Sequence, residues 1–95
     1  MKFVRGREKA YLLQKMLAMD TDSLTLKLAD RSDNVRYMDK DCKTTDHKKF
    51  VKRYALETRY IIDNLVSEKE LDKVQQFLVD KINLRLRYLD IKYLW

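Results

Sequence analysis

Leu26-Lys27-Leu28-Ala29-Asp30-Arg31-Ser32-Asp33-Asn34-Val35-Arg36 is the stretch that decides how this chain is read. It contains no Gly or Pro, and its apolar residues recur at helical spacing, so it belongs inside a helix. Each residue of a helix turns by about 100°, which stacks Lys27, Asp30 and Asn34 on one narrow stripe. Leu24, Leu28, Val35 and Met38 lie to one side of that stripe, and Leu26, Ala29 and Tyr37 to the other. A carboxylate and an amide flanked by apolar residues on both sides are expected to be partly buried. Burying a carboxylate is costly unless a cation, a metal ion or several donors compensate it. Lys27, Arg31 or an arginine of another helix would answer that need, and so would a metal.

Working outward, the helix around this stretch is predicted to run from about Ser23 to Met38, with Asp20-Thr21-Asp22-Ser23 supplying cap formers before it. A first helix from about Arg7 to Met19 carries Tyr11, Leu12, Leu13, Met16, Leu17 and Met19 on a broad apolar face. Asp39 to Thr45 has no periodicity and is read as a loop. A third helix, about Asp46 to Val66, places Phe50, Val51, Tyr54, Ala55, Thr58, Ile61, Ile62 and Leu65 on one face. Ser67, three residues before Glu70, reads as a capping box that opens the last helix. That helix has two stripes: Leu71, Val74, Leu78, Ile82 and Leu89, then Phe77, Leu84, Tyr88, Ile91 and Trp95. A surface helix of a complete small domain needs one stripe, so the second asks for a further partner, either a missing part of the domain or another subunit.

Composition bounds the rest. Ninety-five residues allow one small domain, and one Gly with no Pro favours long helices on short connections. Apolar residues at 45% and charged residues at 38% describe a soluble chain with enough hydrophobes for a core, which excludes a disordered tail. Cys42 is the only cysteine, so no internal disulfide forms, which suits a cytoplasmic location. No apolar run approaches the ~20 residues of a membrane span, and Met1 to Arg5 is not followed by a signal-peptide core. The net charge of +6 attracts anions, nucleotides and nucleic acid included. No internal repeat, low-complexity segment or domain linker is present.

Leu28-Ala29-Asp30-Arg31, with Asn34 and Arg36 following, resembles the Lys-Leu-Ala-Asp-Arg-Leu-His-Asn-Met-Arg signature of the RelA/SpoT branch of HD-domain phosphohydrolases. The likeness extends upstream to Lys15-Met16-Leu17-Ala18-Met19 and Asp22. Downstream it extends to Lys52-Arg53-Tyr54-Ala55-Leu56-Glu57-Thr58, where the family has a recurring Glu-Thr pair. It covers roughly Lys9 to Leu65, and small HD-like proteins of phages are similar in the same places. The resemblance implies an all-α fold of about four helices, the later helices of an HD domain, with residues 1–95 forming one partial domain. It also implies chemistry. In the family a divalent metal, usually manganese, is held by a His, a His-Asp doublet and a final Asp, and it activates water against a phosphoester such as that of guanosine tetraphosphate. Asp30 matches the final Asp, Asn34 matches an Asn that contacts the nucleotide, and Lys27 lies on the same substrate-facing stripe.

The departures are as informative. The family places its first His and its His-Asp doublet before this signature, and here the 29 residues that precede Asp30 contain no His. Tyr37 stands where the family has Thr, and Asp33 where it has His. The Pro-Leu-Ala ending that follows the Glu-Thr helix is missing around Asn64 and Leu65. A hydrolytic metal site needs several ligands and an open position, so the chain alone is expected to be catalytically incomplete and to hold no metal stably. A second chain supplying the missing half-domain is the partner this reading calls for.

Other candidates carry less. His47 follows Asp46, the reverse of a His-Asp doublet and after the final Asp, and is expected to be an exposed residue at a helix start. Cys42 has no evident activating base and reads as a surface thiol. Lys48, Lys49, Lys52 and Arg53 bunch near the start of the third helix, while Lys81, Arg85, Arg87 and Lys92 line the last, interleaved with Tyr88, Tyr93 and Trp95. Such a pattern can contact phosphates and stack on bases, but Asp46, Glu57, Asp63, Asp72 and Asp80 interrupt the charge as on a solvated face. The leading expectation is a truncated HD-type phosphohydrolase with a nucleotide substrate. The alternative is a small helical interaction or dimerisation protein without catalysis, with a basic nucleic-acid-binding protein third.

Overall fold

The computed structural model describes residues 5–40 and 44–95. Among them are four helices and no strand: α1 (Arg5–Leu17), α2 (Thr21–Tyr37), α3 (Thr45–Glu68) and α4 (Lys73–Tyr93). The all-α expectation holds. None of these helices is long and apolar enough to cross a membrane. Cys42 lies outside the described residues.

Helices α2, α3 and α4 each begin where a short side chain satisfies a free backbone donor. The Asp20 carboxylate accepts from Ser23 N–H at 2.8 Å, so α2 starts at Thr21, ahead of the expected Ser23. That backbone hydrogen bond, and then one from the Ser23 hydroxyl, hold the Asp20 carboxyl below the usual carboxylate range. Thr44 Oγ1 accepts from His47 N–H at 3.1 Å and opens α3. The fourth start corrects the sequence reading. Helix α3 continues through Ser67 to Glu68, and the capping box of α4 is Asp72 with Gln75, their reciprocal bonds measuring 2.8 and 3.1 Å. The helix breaks at Lys69, inside the expected box, where the backbone is extended and the ammonium donates to the carbonyls of Leu17 and Met19 at 3.2 Å. Lys69 thereby satisfies the open carbonyl end of α1 and ties the α3–α4 connection to it.

Leu13, Met16, Leu24, Leu28, Val35, Ala55, Ile61, Ile62, Leu65, Val79, Ile82 and Leu86 form one core. Helix α2 packs chiefly on α4, and α1 on α3, with α3 also meeting α4. The expected face of α3 is buried except for Phe50, which is exposed, and Tyr54, which is half-buried. On α4 the buried stripe is Gln75, Val79, Ile82, Leu86 and Leu89, so Val74 moves from the expected core to the surface. Gln75 occupies a core position because its amide donates to the Thr21 carbonyl and Thr25 Oγ1, each at 3.2 Å, while its oxygen caps Asp72.

Asp39 was read as part of a loop, yet it is among the most buried polar residues, only 5% exposed. Its carboxylate accepts from Arg85 at 2.8 Å, Lys92 at 3.0 Å and the Tyr93 hydroxyl at 3.2 Å. Arg85 also donates to the carbonyls of Val35 and Arg36, at 3.3 and 2.8 Å, closing the C-terminus of α2 with a cation where the helix dipole favours one. Burial pushes the Asp39 carboxyl up. The hydrogen bond from Lys92, the Arg85 charge and the Tyr93 hydroxyl outweigh it and hold the carboxyl below its usual range. The hydrogen bond to Asp39, then that of Tyr93, holds the Lys92 ammonium well above the ordinary lysine range.

A carboxyl that binds its proton more weakly when folded stabilises the fold above its unfolded pKa, and that contribution disappears as pH falls through the folded value. The thermal midpoint should therefore drop as the pH falls below about 4. Asp39→Asn should remove much of that acid slope and cost about 2 kcal/mol at neutral pH, less than a fully enclosed pair because Arg85 and Lys92 are partly solvated. Circular-dichroism melts of both proteins from pH 3 to 7 check this; equal midpoints at pH 7 would contradict it.

Candidate functional site

The site is built on α2, and its orientation is set by the residue next to Asp30. Arg31 is 6% exposed, and its guanidinium donates to Thr58 Oγ1 at 3.1 Å and Glu57 Oε1 at 3.3 Å, both on α3. The guanidinium carbon also lies 4.6 Å from the centre of the Tyr54 ring, a cation–π distance. Thr58 is fully buried and Glu57 half-buried, so the positive charge pointed into the protein is balanced and hydrogen-bonded. With Arg31 and Ser32 turned inward alongside Leu24, Leu28 and Val35, the adjacent stripe has to face out.

This corrects the expectation of partial burial for Asp30 and Asn34: both are exposed, and Lys27 is half-buried on the same face. The reason is that α2 has one apolar face. Leu26 and Tyr37, counted as a second flank, are 72% and 57% exposed. Asp30 forms no ion pair with any described residue, so neither Lys27 nor Arg31 neutralises it. Asn34, one turn on, donates its amide to the Tyr54 hydroxyl at 3.1 Å. Asp33, Asn34, Tyr37, Met38, Phe50 and Tyr54 line a groove of about 410 Å³ beside it. The groove offers aromatic faces, an amide and a carboxylate, a lining suited to a flat polar ligand.

His47, which bonds to Met38 and stands near Phe50 of the groove lining, is half-buried where exposure was expected. Its Nε2 lies 2.8 Å from the Met38 carbonyl, and because a carbonyl only accepts, Nε2 carries the proton of that bond. His47 thus links the start of α3 to the end of α2 and stands 6.1 Å from the Phe50 ring. Nothing at the level of sequence spacing pointed to this, since the carbonyl acceptor has no residue-type signature.

Of the basic residues considered for phosphate contact, Lys48, Lys49, Lys52 and Arg53 are exposed along the first turns of α3. On α4, Arg85 and Lys92 are committed to Asp39, which leaves Lys81 and Arg87. Arg85 additionally lies over the Tyr88 ring at 4.4 Å, leaving Tyr88 44% exposed, and Tyr93 stacks on Trp95 at 4.8 Å.

The manganese that the resemblance implies does not fit these residues alone. Asp30 is a single exposed carboxylate, and among the described residues no three His, Cys, Asp or Glu side chains form a group that could hold a metal ion. No protein-family model, curated protein or solved structure matches the chain.

The geometry separates two kinds of residue in this segment. Arg31→Met should destabilise the fold by about 2 kcal/mol, because Glu57 and Thr58 lose a charged donor. Asp30→Ala and Asn34→Ala should each shift stability by less than about 0.5 kcal/mol, as expected for exposed positions. Urea titrations followed by circular dichroism distinguish them. A loss at Asp30 as large as that at Arg31 would mean that Asp30 is structural.

Proposed function

We propose that this chain is the later half of an HD-type metal-dependent phosphohydrolase, related to enzymes that hydrolyse guanosine tetraphosphate, and that it is catalytically incomplete by itself. Asp30 is its metal ligand, Asn34 contacts the nucleotide, and Lys27 lies on the same face to meet phosphate. The His and His-Asp ligands come from outside these residues.

One observation carries this reading. Two of the segments that carry the resemblance are Leu-Ala-Asp-Arg at Leu28–Arg31 and the Glu-Thr pair at Glu57–Thr58, and the Arg31 guanidinium bonds to both members of that pair. Two fragments alike by accident have no reason to meet across 26 and 27 residues of sequence through their own signature side chains. The pairing gives the Arg directly after Asp30 a role in this chain. An inward guanidinium on α2 fixes the helix rotation, and the preceding carboxylate is then held outward, available to an ion. The groove beside Asn34 supports the nucleotide part of the reading, since Phe50, Tyr54 and Tyr37 offer ring faces to a base.

No catalytic step is assigned to the isolated chain, because a lone carboxylate neither holds a divalent ion nor lowers the pKa of water. With manganese and guanosine tetraphosphate it should release no pyrophosphate, and electron paramagnetic resonance should show no stoichiometric manganese binding. Joined to the polypeptide encoded immediately upstream, which should carry the His and the His-Asp doublet, it should bind manganese and turn over. Asp30→Ala in that joined protein should lower activity by ~100-fold or more, at least the loss seen when metal-site partners are removed. Turnover by the isolated chain, an upstream sequence without those ligands, or a joined enzyme indifferent to Asp30→Ala would each overturn the proposal.

A further inference from the structure

Helix α4 buries one side and leaves a second, ordered apolar row in water. Val74, Phe77, Leu84, Tyr88 and Ile91 are between 44% and 67% exposed, on the side of the helix away from Val79, Ile82 and Leu86. With Lys81 they are spaced alternately three and four residues apart over the length of α4, the heptad spacing of a coiled-coil seam. Val74, Lys81 and Tyr88 take one seam position; Phe77, Leu84 and Ile91 take the other. Scattered exposed hydrophobics need no explanation, but a continuous row at this spacing does.

The charges beside the row select the occupant. On one flank Arg85 and Lys92 are engaged by Asp39 and are not available to a partner. The other flank carries Asp80 and Arg87, both exposed. Arg87 forms no ion pair with a described residue, and Asp80 accepts only from Gln76 within its own helix, at 3.0 Å. Consider a second α4 laid antiparallel with its two-fold axis between Ile82 and Asn83. Val74 then meets Ile91, Phe77 meets Tyr88, and Lys81 meets Leu84 of the other copy. In this register Asp80 of each copy faces Arg87 of the other, so one favourable pair is made twice. A parallel arrangement sets Asp80 opposite Arg85 and Arg87 opposite Lys92, and Arg85 and Lys92 are already held by Asp39, so it offers no pair of free complementary charges. Lys81, which lies 5.7 Å over the Phe77 ring, is the single polar residue of the seam, the device that fixes register at some cost in stability.

We propose that α4 is the dimerisation helix of this protein, pairing antiparallel with α4 of a second copy through this seam. The proposal rests on the exposed row and its charges and is independent of the phosphohydrolase reading. Sedimentation velocity of the full chain at micromolar concentration should show a dimer. Leu84→Lys should yield a monomer with an unchanged melting profile, because it sets like charges opposite Lys81 in the dimer, while Leu84 is 67% exposed and contributes little to the fold. Asp80→Arg and Arg87→Asp should each weaken the dimer by roughly tenfold, through like charges set opposite one another, and the double variant should restore it. A monomer throughout, a dimer indifferent to Leu84→Lys, or single charge variants that the double variant fails to rescue would overturn the proposal. So would a monomer that uses the row to bind vesicles of anionic lipid.

Discussion

The guanidinium of Arg31 is the interaction on which the arrangement of this molecule turns. The principal helix contacts join α2 to α4 and α1 to α3, with α3 also meeting α4, and a polar link sets α2 against α3. Arg31 supplies it, reaching Glu57, Thr58 and the face of Tyr54, all on α3. Burying an arginine is costly unless its donors are satisfied and its charge balanced, and α3 provides both within one turn. A hydrophobic residue at this position would tolerate several helix rotations. A guanidinium with a fixed fork of donors tolerates one, and that rotation decides which residues of α2 meet solvent.

A second polar anchor works in the same way at the other end of α2. Asp39 collects Arg85, Lys92 and Tyr93 from α4, while Arg85 closes the last carbonyls of α2. Lys69 does the equivalent for α1, and Gln75 joins the start of α4 to the start of α2. The ends of helices carry unsatisfied backbone groups whatever the core does. Here long side chains from elsewhere in the chain serve them, so the apolar core and the polar anchors specify the same packing. This agreement between levels lets a domain of such size hold one arrangement.

The parts of this scheme that were legible in the sequence are the local ones. Val51, Ala55, Thr58, Ile61, Ile62 and Leu65 announce the buried face of α3 by their spacing, and the residues around Asp20 announce a cap. What spacing leaves open is the absolute rotation of a helix with few hydrophobes. On α2, the choice between Asp30 and Arg31 as the inward group is a rotation of about 100°, and only the Glu57–Thr58 partner settles it. The start of α4 was misread for a related reason. Ser67 with Glu70 has the spacing of a capping box, but the box that forms is Asp72 with Gln75, and Lys69 reaches to α1 instead of continuing a helix. Asp39 was illegible because every side chain that binds it lies on α4, about fifty residues along the chain. For the candidate site, the residue types and their order were visible, but their exposure was not.

Two open surfaces remain, and they demand different chemistry. The face of α2 with Lys27, Asp30 and Asn34 is polar, and its carboxylate has no cation within the described residues. Covering it with an apolar surface would strand a charge, at a cost far above any gain from area. Whatever closes on it must bring a cation or donors, as a metal and its other ligands would. The outer row of α4 is the reverse case: its large side chains gain by leaving water, and its free charges, Asp80 and Arg87, are complementary to themselves under a two-fold axis. A missing half-domain could not satisfy both surfaces with one kind of contact. A cover for the face of α2 has to be polar and a cover for the outer row of α4 apolar, because Asp30 keeps its charge only against water or donors while the row gains only by leaving water.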